Sequence, residues 1–127
     1  MELIQDERMQ NNIATIKQTL PLPDIYDQLA EEASELAQAA NKMARILRGN
    51  NPTPKTEKEA MTDLIEEYTD VIVCQNVLDI HTDILLADYK LYRWRKRLED
   101  SRNRIHDNSL YASCSASDDS RSKQAAV

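Results

Sequence analysis

The chain has 127 residues, a length that predicts one domain, and it carries a formal net charge of −6. One glycine, four prolines and no phenylalanine disfavour a turn-rich β fold and favour long helices. The acidic balance disfavours binding to a nucleic acid polymer, because neutralising its phosphates requires a basic face. The sequence has no signal peptide and no apolar stretch long enough to span a bilayer, so we expect a cytoplasmic protein without a membrane partner.

Apolar periodicity, caps and helix breakers predict four helices in chain order. Their predicted ranges are about 3–20, 24–48, 56–81 and 83–105. Pro21 stops the first helix, and Asp24 is the expected N-cap of the second. Gly49 supplies the left-handed C-terminal stop of that helix. Thr56 and Glu59 have the spacing of a capping box that opens the third.

Short connections between four helices predict an all-α fold, an antiparallel four-helix bundle of residues 1–105. Thr82 or Asp83 is expected to cap the fourth helix, which ends near Ile105. Residues 106–127 are rich in serine and poor in large apolar side chains, so we predict a flexible, disordered C-terminal tail.

Two acidic clusters stand out, EEASE at residues 31–35 and EEYTD at residues 66–70. Each contains two carboxylates three residues apart, which project to one side of a helix. These pairs are Glu32 with Glu35 and Glu67 with Asp70. If the second and third helices pack as an antiparallel hairpin, both pairs meet near its middle. Since like charges repel, we expect a cation between them.

A solvated surface is the ordinary explanation of either cluster alone. Both clusters lie among apolar residues, however, and this favours a shared metal site. Mg²⁺, or Mn²⁺ in its place, is the expected ion because it takes oxygen ligands and bridges carboxylates to phosphate oxygens. A di-iron site is disfavoured, since it needs Glu-x-x-His pairs and neither His81 nor His106 follows a glutamate by three residues.

The sequence LAEEASELAQAA at residues 29–40, followed by EEYTDVIV at residues 66–73, resembles the MazG-like all-α nucleoside triphosphate pyrophosphohydrolases. The signature of that superfamily is EExxE on one helix and ExxD on the next, and the resemblance covers about residues 24–105. It implies hydrolysis of a nucleoside triphosphate, a dNTP or a non-canonical NTP, to the monophosphate and pyrophosphate. It also implies a homodimer or homotetramer. The magnesium ligands that it implies are Glu32, Glu35, Glu67 and Asp70.

Phosphoryl chemistry of this kind requires a proton acceptor and cations for the outer phosphates. Glu35 or Glu32 is the expected acceptor of a proton from the attacking water, and the sequence leaves the choice open. Candidate phosphate-binding residues are Lys42, Lys55, Lys90 and Arg93, each of which also fits a solvated surface position. No motif specifies the base.

A non-catalytic protein is the alternative interpretation. A helical bundle with a basic fourth helix fits a partner-binding or regulatory module that retains a metal or nucleotide site. Such a module binds a nucleotide without hydrolysing it.

Overall fold

The computed structural model describes residues 6–49 and 54–118, with side chains as far as residue 113. The described part of the chain contains helices and no strand, so the predicted all-α class is confirmed. None of these helices has a stretch both long and apolar enough to cross a membrane. The helices are α1 (Glu7–Thr19), α2 (Leu22–Arg48), α3 (Glu57–Val77) and α4 (Ile84–Asp118).

Helix α2 begins two residues earlier than predicted. Pro21 occupies the N-cap position and Pro23 lies in the first turn, where the missing N–H of proline has no intrahelical acceptor to lose. The assignment of Asp24 as the N-cap is therefore wrong. Its carboxylate lies in the first turn instead, where it interacts favourably with the positive end of the helix dipole.

The two ends that face the α2–α3 connection are formed as predicted. Gly49 adopts the left-handed conformation with φ of 67°, and its N–H donates to the carbonyls of Arg45 and Ile46. Thr56 and Glu59 form the capping box, in which each side chain accepts from the other residue's backbone N–H. Both caps stabilise the helix ends that bring α2 and α3 into an antiparallel hairpin.

Helix α3 ends at Val77, earlier than the predicted end near His81. Asp79 takes a positive φ of 59°, which breaks the helix, and its carboxylate contacts the His81 ring nitrogen at 3.0 Å. Of the two predicted caps of α4, Asp83 is the one formed, since its carboxylate accepts from the backbone N–H of Leu86.

Helix α4 continues to Asp118 instead of ending near Ile105. The prediction of a disordered tail is therefore wrong for residues 106–118, and residues 119–127 lie outside the described residues. The segment 106–118 contains neither glycine nor proline, so nothing in it interrupts the helical hydrogen bonds. The low apolar content of this segment indicates that it is not buried in a core, but it does not determine whether the segment is helical.

The chain forms two compact units, Met1–Thr82 and Asp83–Val127. In the first, α3 packs along α2 as an antiparallel hairpin (the α2–α3 hairpin) and also contacts α1. In the second, α4 is the described element. The four-helix arrangement of all these elements remains a prediction. The buried core of the first unit consists of Ile25, Ala39, Met43, Ala60, Ile72, Cys74 and Val77.

Candidate metal centre

Three carboxylates meet at the middle of the α2–α3 hairpin. Glu32 and Glu35 lie three residues apart on α2, and Glu67 lies on α3. One carboxylate oxygen from each falls within 4.8 Å of the others; we call these three residues the acidic cluster. Since the hairpin buries Ala39 and Ala60 in its seam, the two backbones approach closely enough for side chains of glutamate length to converge.

The electrostatics of the acidic cluster favour a cation. Desolvation raises the pKa of Glu67, and the negative charge of Glu35 and a hydrogen bond with it raise that pKa further. The charges of Asp70 and Glu66 act in the same direction. Each of these effects penalises the ionised form of Glu67, and a positive charge placed between the carboxylates reverses the penalty.

The donor set and its spacing fit a hard divalent cation. All three donors are carboxylate oxygens, which Mg²⁺ and Mn²⁺ prefer. Two oxygens on opposite sides of one octahedral magnesium ion lie about 4.2 Å apart, twice its usual bond length. Oxygens within 4.8 Å of one another therefore need only small side-chain adjustments to share an ion.

Asp70 lies one turn beyond Glu67 on α3, half-buried and outside the acidic cluster. Its charge nevertheless raises the pKa of Glu67 and of the buried Cys74 thiol. The structure thus brings together three of the four predicted ligands. Participation of Asp70 as a fourth ligand remains a prediction.

Two neighbours border the acidic cluster, the exposed Gln28 on α2 and the buried Cys74 on α3. The Gln28 amide Nε2, one turn before Glu32, donates to the Glu32 carboxylate and thereby limits its rotation. Cys74 is buried, and desolvation, followed by the charges of Glu32 and Asp70, raises the pKa of its thiol. The protonated thiol acts as a small apolar side chain beside the carboxylates.

A cavity of about 260 Å³ opens beside the acidic cluster. Its lining residues are Glu35, Gln38, Ala39, Lys42 and Glu67. Lys42 is therefore the predicted cation that shares a cavity with the carboxylates. Its Nζ lies 3.9 Å from Asp63 Oδ2, a long ion pair between partly exposed groups.

Lys55, the second predicted cation, donates a hydrogen bond to Asp63. This bond is the main reason why the pKa of Lys55 is raised and that of Asp63 lowered. Asp63 therefore lies between two lysines and holds Lys55 close to it. No sequence motif indicated this role of Asp63, although its four-residue spacing from Glu67 places both on one face of α3.

The other two predicted cations, Lys90 and Arg93, are exposed on α4. The Arg93 guanidinium lies over the Tyr89 ring, 5.7 Å from its centroid. Their contribution to phosphate binding remains a prediction. Gln38, which lines the cavity, was missed; its signal in the sequence is the three-residue spacing from Glu35.

Together these features define a carboxylate-rich candidate cation site on an α-helical hairpin, with a lysine in the adjoining cavity. Comparison of the chain with models of protein families, with curated proteins and with solved structures finds no match.

Proposed function

We propose that this protein is a magnesium-dependent nucleotide pyrophosphohydrolase of the MazG-like type, which hydrolyses a nucleoside triphosphate to the monophosphate and pyrophosphate. The observation that carries the proposal is the convergence of the Glu32, Glu35 and Glu67 carboxylates within 4.8 Å. Three carboxylates that repel one another in the absence of a cation suit a site whose ligand brings positive charge with it.

The acidic cluster would hold Mg²⁺ or Mn²⁺, with Asp70 as the proposed fourth ligand. When bound, the metal neutralises charge on the phosphate oxygens and makes a bound water more acidic. The carboxylates themselves supply the remaining function. Either Glu35 or Glu32 accepts the proton of the attacking water, and the hydrogen bond from Gln28 orients Glu32.

The cavity beside the acidic cluster is suited to the outer phosphates. Lys42 lines it and pairs only loosely with Asp63, at 3.9 Å, so its ammonium group can move toward an anionic ligand. Asp63 holds Lys55 more closely, so of these two lysines Lys42 is the one more available to the substrate. Positioning and charge neutralisation are the main requirements of phosphoryl transfer.

The proposal extends to the assembly. In this assembly the four helices belong to an antiparallel bundle, which is completed in a homodimer or homotetramer. The proposed substrate is a dNTP or a non-canonical NTP. Exposed apolar side chains on the hairpin, among them Met61, Ile65 and Tyr68, support an assembly that covers more of its surface.

Pyrophosphate release tests the reaction. The wild-type chain, a Glu35→Gln/Glu67→Gln variant and a Glu31→Gln/Glu66→Gln control are incubated with a panel of canonical and modified nucleoside triphosphates, with and without Mg²⁺. The control removes the same charge from the same two helices at exposed positions next to the acidic cluster.

We expect magnesium-dependent release by the wild type and the control, with a loss of at least about 100-fold in the Glu35→Gln/Glu67→Gln variant. Equal release by all three chains would exclude the acidic cluster as the catalytic site. Nucleotide binding without release under any condition would favour a non-catalytic binding module.

A further inference from the structure

A regular stripe of apolar residues runs along α4 with no role in the proposed reaction. Its members recur every seven residues, and we call them the α4 stripe: Ile84, Leu91, Leu98 and Ile105. Their exposed fractions are 75%, 64%, 61% and 71%, respectively. Large apolar side chains scattered singly on a surface are ordinary, but a stripe sustained over three heptads of one helix indicates a helix-pairing surface.

The intervening positions complete the heptad pattern. Ala87 and Trp94 lie three residues after Ile84 and Leu91, at the second core position of each repeat. At the corresponding position of the third repeat stands Ser101, a small residue. A period of 3.5 residues keeps such a seam facing one partner helix along its length, here about 30 Å from Ile84 to Ile105.

The charges flanking the α4 stripe discriminate between parallel and antiparallel pairing of two α4 helices. In a parallel pair, residue i faces residue i+5 of the other helix across the seam. Asp83 would then face Asp88, Lys90 would face Arg95, and Arg97 would face Arg102. Every such contact joins like charges, so the parallel arrangement is disfavoured.

An antiparallel pair centred between Leu91 and Trp94 relieves most of this repulsion. It sets Leu91 against Trp94 and the small Ala87 against Leu98 of the second copy. At its margins Asp88 faces Arg95, and Asp83 faces Arg104; each of these contacts occurs twice. Lys90 against Arg97 is the unfavourable contact that remains.

We propose that the α4 stripe is a self-association surface that pairs with α4 of a second copy in antiparallel orientation. Apolar layers supply the attraction, and the Asp88–Arg95 contacts set the direction. The inference rests on the homo-oligomer proposed above, for which it names the interface, and it is independent of the proposed reaction because it uses no residue of the acidic cluster.

Sedimentation equilibrium of the full chain tests the surface. A Leu91→Glu/Leu98→Glu variant puts charge into the seam, whereas a Leu86→Glu/Leu110→Glu control makes the same change at exposed positions of α4 outside it. We expect the wild type and the control to associate and the seam variant to have half the particle mass. The proposal would be overturned if the wild type is monomeric, if the seam variant associates like the wild type, or if the control dissociates. The α4 stripe would then contact another part of this chain or a different protein.

Charge exchange tests the orientation and does not depend on the seam variant folding. In the antiparallel pair, Asp88→Arg and Arg95→Asp each create like-charge contacts. Each should weaken association about tenfold, and the double exchange should restore it. In a parallel pair Asp88→Arg would oppose Asp83, so stronger association of that single variant would overturn the antiparallel assignment.

Discussion

Glu67 of α3 faces Glu35 of α2 across the helical hairpin, and desolvation together with that facing carboxylate raises the pKa of Glu67. Two like charges on neighbouring helices oppose the packing that brings them together. The apolar seam of the hairpin, with Met43 and Ile72 among its buried residues, holds them in place. The repulsion between the two carboxylates therefore destabilises the folded state, and a bound cation would remove this repulsion.

The first prediction concerns stability without metal. Glu67 has an ordinary pKa of 4.5 and a higher one in the folded chain, so the folded state favours its protonated form. This stabilisation is fully present below pH 4.5 and is lost as the pH rises through the raised pKa. Glu67→Gln, which cannot ionise, should therefore raise the thermal midpoint at pH 7 in EDTA and have little effect below pH 4.

Thermal unfolding of the wild type, Glu67→Gln and the control Glu31→Gln across this pH range checks the prediction. Glu31 is exposed on α2 outside the acidic cluster, and its replacement should leave the pH profile close to that of the wild type. A lower midpoint of Glu67→Gln at pH 7 would contradict the repulsion inferred from the structure.

The second prediction concerns metal and nucleotide together. Binding to the folded state alone stabilises a protein by about 2.7 kcal/mol at a ligand concentration a hundred times the dissociation constant. Mg²⁺ and a non-hydrolysable nucleoside triphosphate analogue, added together, should shift the thermal midpoint by more than the sum of their separate shifts. The reason is that metal and phosphate neutralise each other's charge in the site.

Differential scanning fluorimetry with each ligand alone and with both measures this synergy. The Glu35→Gln/Glu67→Gln variant should lose it, and the Glu31→Gln/Glu66→Gln control should keep it. A full shift with Mg²⁺ alone, unchanged by the analogue, would instead indicate a purely structural ion.

The third prediction separates the two lysines near Asp63. Lys42 lines the cavity beside the acidic cluster, whereas Asp63 accepts a hydrogen bond from Lys55. A charge-assisted hydrogen bond is worth about 1.5–3 kcal/mol, so Lys42→Met should lower kcat/KM by roughly 10- to 100-fold. Lys55→Met should have a smaller effect, because Lys55 is not among the residues that line that cavity.

Steady-state kinetics of both variants on the best substrate tests this difference. If Lys42 binds the outer phosphates in the ground state, KM rises more than kcat falls. An equal or larger loss of kcat/KM in Lys55→Met would show that Lys42 is not the main phosphate contact.

The fourth prediction concerns the end of α2. Gly49 has a φ of 67°, and among the described residues no atom beyond its chain neighbours lies within 4 Å of the position that a Cβ would occupy. The cost of Gly49→Ala is therefore conformational and not steric crowding, and should be about 1 kcal/mol. Urea unfolding measures it, with Asn41→Ala on the exposed face of α2 as the control. A neutral Gly49→Ala would show that the left-handed cap contributes little to the hairpin.

Much of the first unit could be predicted from local sequence signals. The left-handed Gly49 and the capping box of Thr56 and Glu59 need only nearby backbone groups, so the sequence alone indicates them. The convergence of the acidic cluster was also predictable, because helical spacing fixes which side chains share a face and short connections favour antiparallel neighbours.

Other features depend on which of two alternative local structures is the more stable, and sequence patterns do not decide this well. Asp24 is a good N-cap residue, yet the proline at position 23 suits a first helical turn and draws the start of α2 earlier. Asp63 pairs more closely with Lys55 than with Lys42 because of where the α2–α3 connection places Lys55. The spacing of residues on α3 does not encode that position. The extent of α4 follows from the lack of a helix breaker, a weaker signal than apolar periodicity.

The last prediction concerns the C-terminal part of α4. All side chains described from residue 106 to residue 113 are exposed, so within the part of the chain that the structure describes the deletion of residues 107–127 removes no buried side chain. We expect the free energy of unfolding to change by no more than about 0.5 kcal/mol and magnesium-dependent pyrophosphate release to persist. Far-ultraviolet circular dichroism should nevertheless show less helix, because residues 107–118 are helical in the full chain. Self-association should also persist, since the α4 stripe ends at Ile105. A collapse of folding or turnover in the shortened chain would mean that this exposed segment packs against a partner surface.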